Sequence, residues 1–438
     1  MATSDKGLVG IPLRAKLSAK YKNSFAYPTI KDRCPVILCK IIDHLYRERL
    51  SIGKVYGMEA QEGLKKIIDL LSGLRYEMQT NKEIKPLSDG RKCCQIWNDY
   101  LNDEKNKGEG TTWFSASWMW SECYLYRRIL ESMSIVHELR DFDFFRHQKE
   151  EGFRDSLLSM EQLGEWLLQI LPGEYPSCSV ETQSLFNTLL QISLWGNKCD
   201  LSISAGSKQS ATGNTLDQLQ SLVDRILVDQ SSLAWSSLEV SNQTVDIVMD
   251  NAGYELFTDL CLADFIISCN KATKVRFRLK NQPWFVSDTT RQDFDWTINN
   301  LCGENENSAL SKLGARWKSY LTNGMWEVLV DSFWTYPHVY SELQQVDPQL
   351  YSGLAEAKLV IFKGDLNYRK LVGDINWETT IDFKICLQGF LPTNILSLRT
   401  LKADVVSGLE NGQAEKLTSQ DKDWMINGNW GLIQFAQA

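Results

Sequence analysis

The sequence predicts an α/β fold, a mainly parallel sheet sandwiched by helices in the Rossmann-like manner, with an all-helical N-terminal domain ahead of it. Three observations carry this. Apolar residues recur at helical spacing through the first half, and from about residue 244 the texture changes to short β-branched runs separated by helix-like segments. The 438 residues also exceed the roughly 250 to 300 at which a single core stops growing. The expected division is residues 1–190 helical and 191–438 an α/β unit carrying the chemistry.

In chain order, Pro28-Thr29 opens a segment in which Ile37, Ile41 and Leu45 recur every four residues beside Leu38 and Ile42, and a second helix runs from Leu64 to Leu74. A third begins near Ser117, where Trp118, Cys123, Tyr124 and Ile129 mix with Glu122, Arg127 and Arg128, an unusually polar set for a helix so rich in large aromatics. Residues 146–190 read as helical again, and Ser202 to Thr215 has a surface-loop composition. The expected strands are Val245–Met249, Val275–Leu279, Val328–Val330, Leu359–Phe362 and Ile395–Leu398.

A net charge of -8 speaks against nucleic acid or an anionic membrane as partner, since both require a basic surface. Eleven cysteines without CxxC spacing suggest neither a zinc site nor a disulfide framework and fit a reducing compartment. With no apolar run near about 18 residues, neither secretion nor membrane spanning is expected. The expected location is the cytoplasm, with the nucleus left open.

Ligands of doubly wound sheets bind beyond the carboxyl ends of the strands, so the residues after each run are the place to search. Asp250-Asn251-Ala252-Gly253 follows the first run, with small residues for a tight turn and two oxygen-bearing side chains. A short apolar run, Pro283-Trp284-Phe285-Val286, delivers Asp288 after the second. Two carboxylates and an amide suit Mg²⁺ or Mn²⁺. Lys363-Gly364-Asp365-Leu366-Asn367-Tyr368-Arg369-Lys370 and Arg399-Thr400-Leu401-Lys402 bring cations and amide donors to the same side. Metal-binding acids facing fixed cations are what phosphoryl transfer requires.

Taken singly, these segments also read otherwise: an Asx turn or N-cap at Asp250, a helix start at Asp288, an exposed turn at Lys363-Gly364-Asp365, and a solvated helix face at Arg399 and Lys402. Their joint placement favours a site. His44, His137, His147 and His338 share no motif and read as structural or surface residues.

These same segments, together with Thr29-Ile30-Lys31-Asp32-Arg33, Glu122-Cys123-Tyr124-Leu125-Tyr126-Arg127-Arg128 and Leu194-Trp195-Gly196-Asn197-Lys198-Cys199-Asp200, resemble the damage-control phosphatase family. The Arg-Thr-x-Lys element marks its eukaryotic branch, also called acidic residue methyltransferase or sugar phosphate phosphatase. The resemblance covers nearly the whole chain. It implies metal-dependent hydrolysis of sugar phosphates such as fructose 1-phosphate, using Mn²⁺, Mg²⁺, Co²⁺ or Ni²⁺.

The resemblance further implies Asp250, Asn251 and Asp288 as metal ligands and catalytic residues, and Asp250, Asn251, Asp365, Leu366, Asn367, Tyr368, Arg369 and Lys402 as contacts to a small phosphorylated metabolite. Lys402 and Arg369 would hold phosphate charge. Asn197 and Asp200 read either as lining the same cleft or as a capped loop. Glu122 with Arg127 and Arg128 reads either as reaching substrate hydroxyls or as an ion pair internal to its helix.

The family's second name carries an alternative, transfer of a methyl group from S-adenosylmethionine to protein carboxylates; no glycine-rich nucleotide turn follows a first strand, and paired acids have no evident task in it. A non-catalytic metabolite-binding role would leave the set of acids and cations unused. A covalent aspartyl-phosphate route needs Asp-x-Asp, which Asp250-Asn251-Ala252 does not supply. No protein partner is indicated.

Overall fold

The computed structural model describes residues 10–171, 179–204, 222–238, 243–303 and 307–438, with the side chains of 197–204 outside the description. Its centre is a seven-stranded sheet of order β1-β7-β6-β5-β2-β3-β4. The strands are β1 (Ile226–Asp229), β2 (Thr244–Val248), β3 (Lys274–Leu279), β4 (Trp326–Val330), β5 (Leu359–Lys363), β6 (Asn394–Thr400) and β7 (Gly431–Ala436). All neighbouring pairs are parallel except β6 with β7. The expected α/β class holds. The five expected runs are the strands β2 to β6, while β1 and β7 were not anticipated.

The central strands are buried on both faces, as near-continuous apolar runs such as Val245, Ile247 and Val248 in β2 require. On one face Val248, Val360 and Phe362 pack into a core that contains the helices Cys34–Arg47, Met58–Gln79 and Trp118–Met133. On the other, Val245, Ile247 and Ile361 pack with the helices Leu157–Ile170, Tyr254–Ser268 and Ala309–Thr322. The helix Val180–Ser204 lies along Tyr254–Ser268 on that second face and runs unbroken through position 190. Residues before and after that position therefore share both cores. Most of the expected 202–215 loop lies outside the described residues, and the helix itself continues to Ser204.

Chain direction decides where a ligand can sit. From β2 the chain moves outward through β3 to β4, then returns to place β5 on the other flank of β2 and continues to β6. The order reverses between β2 and β5, and at such a point the two connections leave in opposite directions and open a crevice above the carboxyl ends. Asp250 follows β2 there, and Gly364-Asp365 follows β5. Among the described residues, no helix is long and apolar enough to cross a membrane.

Candidate active site at the switch point

A cavity of about 910 Å³ opens at that crevice. It gathers Asp250, Asn251, Asp288, Asp365, Leu366, Arg369, Lys402 and Glu122 from the expected set, with Trp118 and a wall from the N-terminal segment.

Asp250 and Asn251 leave β2 on a turn closed by Gly253, whose φ of 73° is the left-handed region that favours glycine. Gly364 (φ 83°) is required more strictly, because a Cβ there would sit 1.8 Å from Asp250 Oδ2. The backbone after β5 therefore passes directly over the carboxylate, a closeness only glycine allows.

Asp288 arrives differently from expectation. The Trp284–Val286 run is not a strand: Phe285 and Val286 hold φ of 42° and 72°, unusual for an aromatic and a β-branched residue and costing of order 1–3 kcal/mol each. The backbone compensates, with Ser287 N–H donating to Phe285 O (2.9 Å), Asp288 N–H to Trp284 O (3.1 Å), Ala252 N–H to Ser287 O (2.8 Å) and Thr289 N–H to Asp250 O (2.7 Å). These bonds draw the 250–252 and 287–289 segments together and set Asp288 opposite Asn251. The helix start read near Asp288 comes two residues later, where Thr290 caps Arg291–Leu301 with a capping box.

The acids are nearly closed off from solvent, Asp250 at 8% and Asp288 at 2% exposure. Burial, followed by the Asp288 and Glu255 charges, pushes the Asp250 carboxyl well above the ordinary carboxylate range. Burial pushes Asp288 up to about 6, against the pull of Lys280 and Lys149. Asp288 Oδ2 has no hydrogen-bond donor among the described residues; Lys280 Nζ approaches it at 3.5 Å while donating to Met249 O at 2.8 Å.

Asn251 Nδ2 donates to Asp250 Oδ2 (3.0 Å) and Glu255 Oε2 (2.8 Å), and Ser287 Oγ donates to Asn251 Oδ1. Behind Glu255, Lys363 Nζ lies 2.9 Å from Asp259, 3.5 Å from Glu255 and 2.7 Å from Ser193 Oγ, forming a buried charge layer beneath the site. Among the described residues, no three His, Cys, Asp or Glu side chains converge as a metal set. A hard cation would rest on Asp250, Asp288 and the Asn251 amide. The raised acids and the undonated Asp288 oxygen fit such an ion, since both gain from a nearby positive charge.

Of the other expected contacts, Glu122 and Arg369 line the cavity while paired with each other, and Asn367 and Tyr368 are not among its lining residues. Arg369 is committed to the fold: its guanidinium donates to Glu122 Oε2 (2.8 Å) and to both oxygens of Asp374 (2.8 and 3.0 Å), and it stacks 3.6 Å from the Trp118 ring centroid. Glu122 thus makes an ion pair 247 residues away in sequence, not one within its helix; Arg127 pairs with Asp89 and Arg128 with Glu131. The side chains of Asn367 and Tyr368 lie behind the cavity wall. Asn367 bonds Tyr340 Oη and Lys363 O, and the Tyr368 hydroxyl meets Ser407. A helix turns successive side chains by about 100°, so the run Asp365 to Arg369 cannot point one way.

Arg399 is fully buried rather than part of a solvated face; it donates to Asp365 Oδ1, Val405 O and Ala403 O, and it leaves Lys402 as the member of its motif that reaches the cavity. The side chains of Asn197 and Asp200 lie outside the described residues. Sequence reasoning assigned no role to the wall residues Thr29, Asp32, Arg33, Val36, Ile37 and Lys40. Their signal was the Thr29-Ile30-Lys31-Asp32-Arg33 motif, which carries part of the family resemblance but lies before any strand, where the strand-end rule assigns no ligand contact.

Residues 29–417 match the family model described as the damage-control phosphatase ARMT1-like domain. The chain is 45% identical to damage-control phosphatase ARMT1 of Mus musculus over 432 residues, covering 96% of this chain and 98% of that protein. It is 43% identical to that of Danio rerio (96% of each chain) and 42% identical to that of Homo sapiens (96% and 98%). A crystal structure of a DUF89 family protein from Pyrococcus horikoshii overlaps 73% of this chain and 87% of its own, with a TM-score of 0.41 and 15% identity.

Proposed function

The chain belongs to the damage-control phosphatase ARMT1-like family, and from that premise we propose that it hydrolyses sugar monophosphates, fructose 1-phosphate among them, at the switch-point cavity. The observation that carries the reading is the meeting of two buried acids, Asp250 and Asp288, with Asn251 and Lys402 in one cavity at the carboxyl edge of the sheet.

Asp250, Asn251 and Asp288 would hold a divalent ion, Mn²⁺, Mg²⁺, Co²⁺ or Ni²⁺, which when bound supplies Lewis acidity toward a phosphoryl oxygen and toward water. Lys402 takes up phosphate charge from the β6 side. Its backbone N–H donates to Asp365 Oδ1 (3.1 Å), whose carboxylate also accepts from Arg399, and this fixes where the lysine starts. The positioned carboxylates orient the attacking water, and the burial of Asp250 and Asp288 strengthens every charge interaction within the site. Arg369 contributes by holding Trp118 and Glu122 as a wall rather than by binding phosphate.

The test is phosphate release from a panel of sugar phosphates with each metal or with EDTA, beside Asp250→Ala. The expected result is metal-dependent release that EDTA removes and the variant lowers by at least about a thousandfold. Absence of release with every metal and substrate would refute the reading.

A further inference from the structure

The cavity has two unlike walls. The sheet side carries the acids and Lys402. The opposite side is the start of the N-terminal helical segment, where a π-helical turn, Thr29–Arg33, leads into the helix Cys34–Arg47. π-helical insertions in α-helices cluster at functional positions because they re-aim side chains. From this segment Arg33, Val36, Ile37 and Lys40 all line the cavity. Their spacing of i, i+3, i+4 and i+7 is one helix face, with a cation at each end of an apolar waist.

Charge accounting sets Arg33 and Lys40 apart. The other arginine on the cavity, Arg369, is neutralised by Glu122 and Asp374. Arg33 and Lys40 are exposed, and neither takes part in an ion pair among the described residues. Arg33 and Lys40 line the same cavity as Asp250 and Asp288, so the two walls bound one space. A cavity of about 910 Å³ is at the large end for small-molecule sites, with room beyond one phosphate and one sugar.

We propose that Arg33 and Lys40 form a second phosphate subsite, so that the cavity binds a sugar bisphosphate with one phosphate at the acids and Lys402 and the other on this helix face. The inference rests on the phosphatase reading of the same site. Asp32, which also lines the cavity, opposes the two cations and limits the gain.

The test measures binding by calorimetry in EDTA, independent of turnover, for fructose 1,6-bisphosphate and fructose 1-phosphate. The wild-type chain should bind the bisphosphate about tenfold more tightly, the size expected of two partly solvated charge-assisted contacts. In Arg33→Ala/Lys40→Ala the preference should fall below about threefold, and raising salt from about 0.05 to 0.5 M should erode it in the wild type. If the double variant melts early, Lys40→Glu and the salt series decide. A wild-type preference near one, or one that neither substitution nor salt alters, overturns the subsite. Phosphate release with added metal is scored separately: its absence removes the phosphatase reading while the binding ratio still judges the subsite.

Discussion

Gly364→Ala separates the architecture of the site from its chemistry. The added Cβ would lie 1.8 Å from Asp250 Oδ2 and 2.2 Å from its Cγ, where ordinary contact begins at 3.4 Å, so the carboxylate or the 364–371 helix must move by about 1.5 Å. Neither moves freely. Asp250 Oδ2 accepts from Asn251 Nδ2, its carbonyl accepts from Thr289 N–H, and Asp365 is held by Arg399 and the Lys402 N–H. The left-handed backbone adds about 1–2 kcal/mol for any residue with a Cβ, and the clash brings the expected loss to about 2–4 kcal/mol. A displacement of this size at a reacting group costs about a hundredfold in kcat/KM. Gly412→Ala is the control: its φ of 81° matches the 83° of Gly364, but nothing lies within 4 Å of the added carbon. Urea unfolding should show only the backbone cost there, with phosphate release unchanged. If Gly364→Ala retains kcat/KM within about threefold of the wild type, Asp250 is not held where catalysis needs it, and the argument fails.

Two further outcomes follow from the buried charges. Lys363→Met leaves Glu255 and Asp259 without their cation, and Asp259 is already pushed up to about 7 by burial, so a loss of about 3–5 kcal/mol is expected by denaturant titration; less than about 1 kcal/mol would show that the buried layer is not load-sharing. His338 sits between Tyr100 and Phe333, and burial with the Lys370 and Lys107 charges holds its imidazole down to about 4. Because the unfolded chain binds this proton more readily, the contribution is complete above about pH 6.5 and is lost as pH falls toward 4, by up to about 3 kcal/mol. His338→Phe should flatten that part of the stability profile, and an unchanged slope between those values would count against the assignment.

The strand ends were legible because β2, β3, β5 and β6 are buried on both faces and read as apolar runs, and a doubly wound sheet fixes where ligands gather. Asp250 and Asn251 followed from that rule, which also brought the Arg399-Thr400-Leu401-Lys402 segment to the same edge, while the family resemblance singled out Lys402 as a contact. Asp288 was found through the wrong local structure, since two positive φ values at Phe285 and Val286 contradict every propensity of those residues and exist only because the surroundings hold them. The strand β1 has four residues and a single neighbour, too short a signal to separate from a loop. The Arg369–Glu122 pair was beyond reach in principle, because an ion pair spanning 247 positions leaves no periodicity.

That pair also explains why the helical half belongs to the site and is not an appendage. Arg369 follows β5 on the sheet edge, yet one of its two carboxylate partners, Glu122, and the Trp118 ring come from the helix Trp118–Met133; Asp374, its other partner, also accepts from Met119 N–H at 3.0 Å. Removing the helix would expose a guanidinium with half its compensation and open one side of the cavity. A second helical segment, residues 29–40, lines the same cavity and brings Arg33 and Lys40 to it. The Arg369 network thus joins the β5 edge of the cavity to the helix Trp118–Met133, so a substitution at either end is expected to open the side of the cavity that Trp118 and Glu122 form.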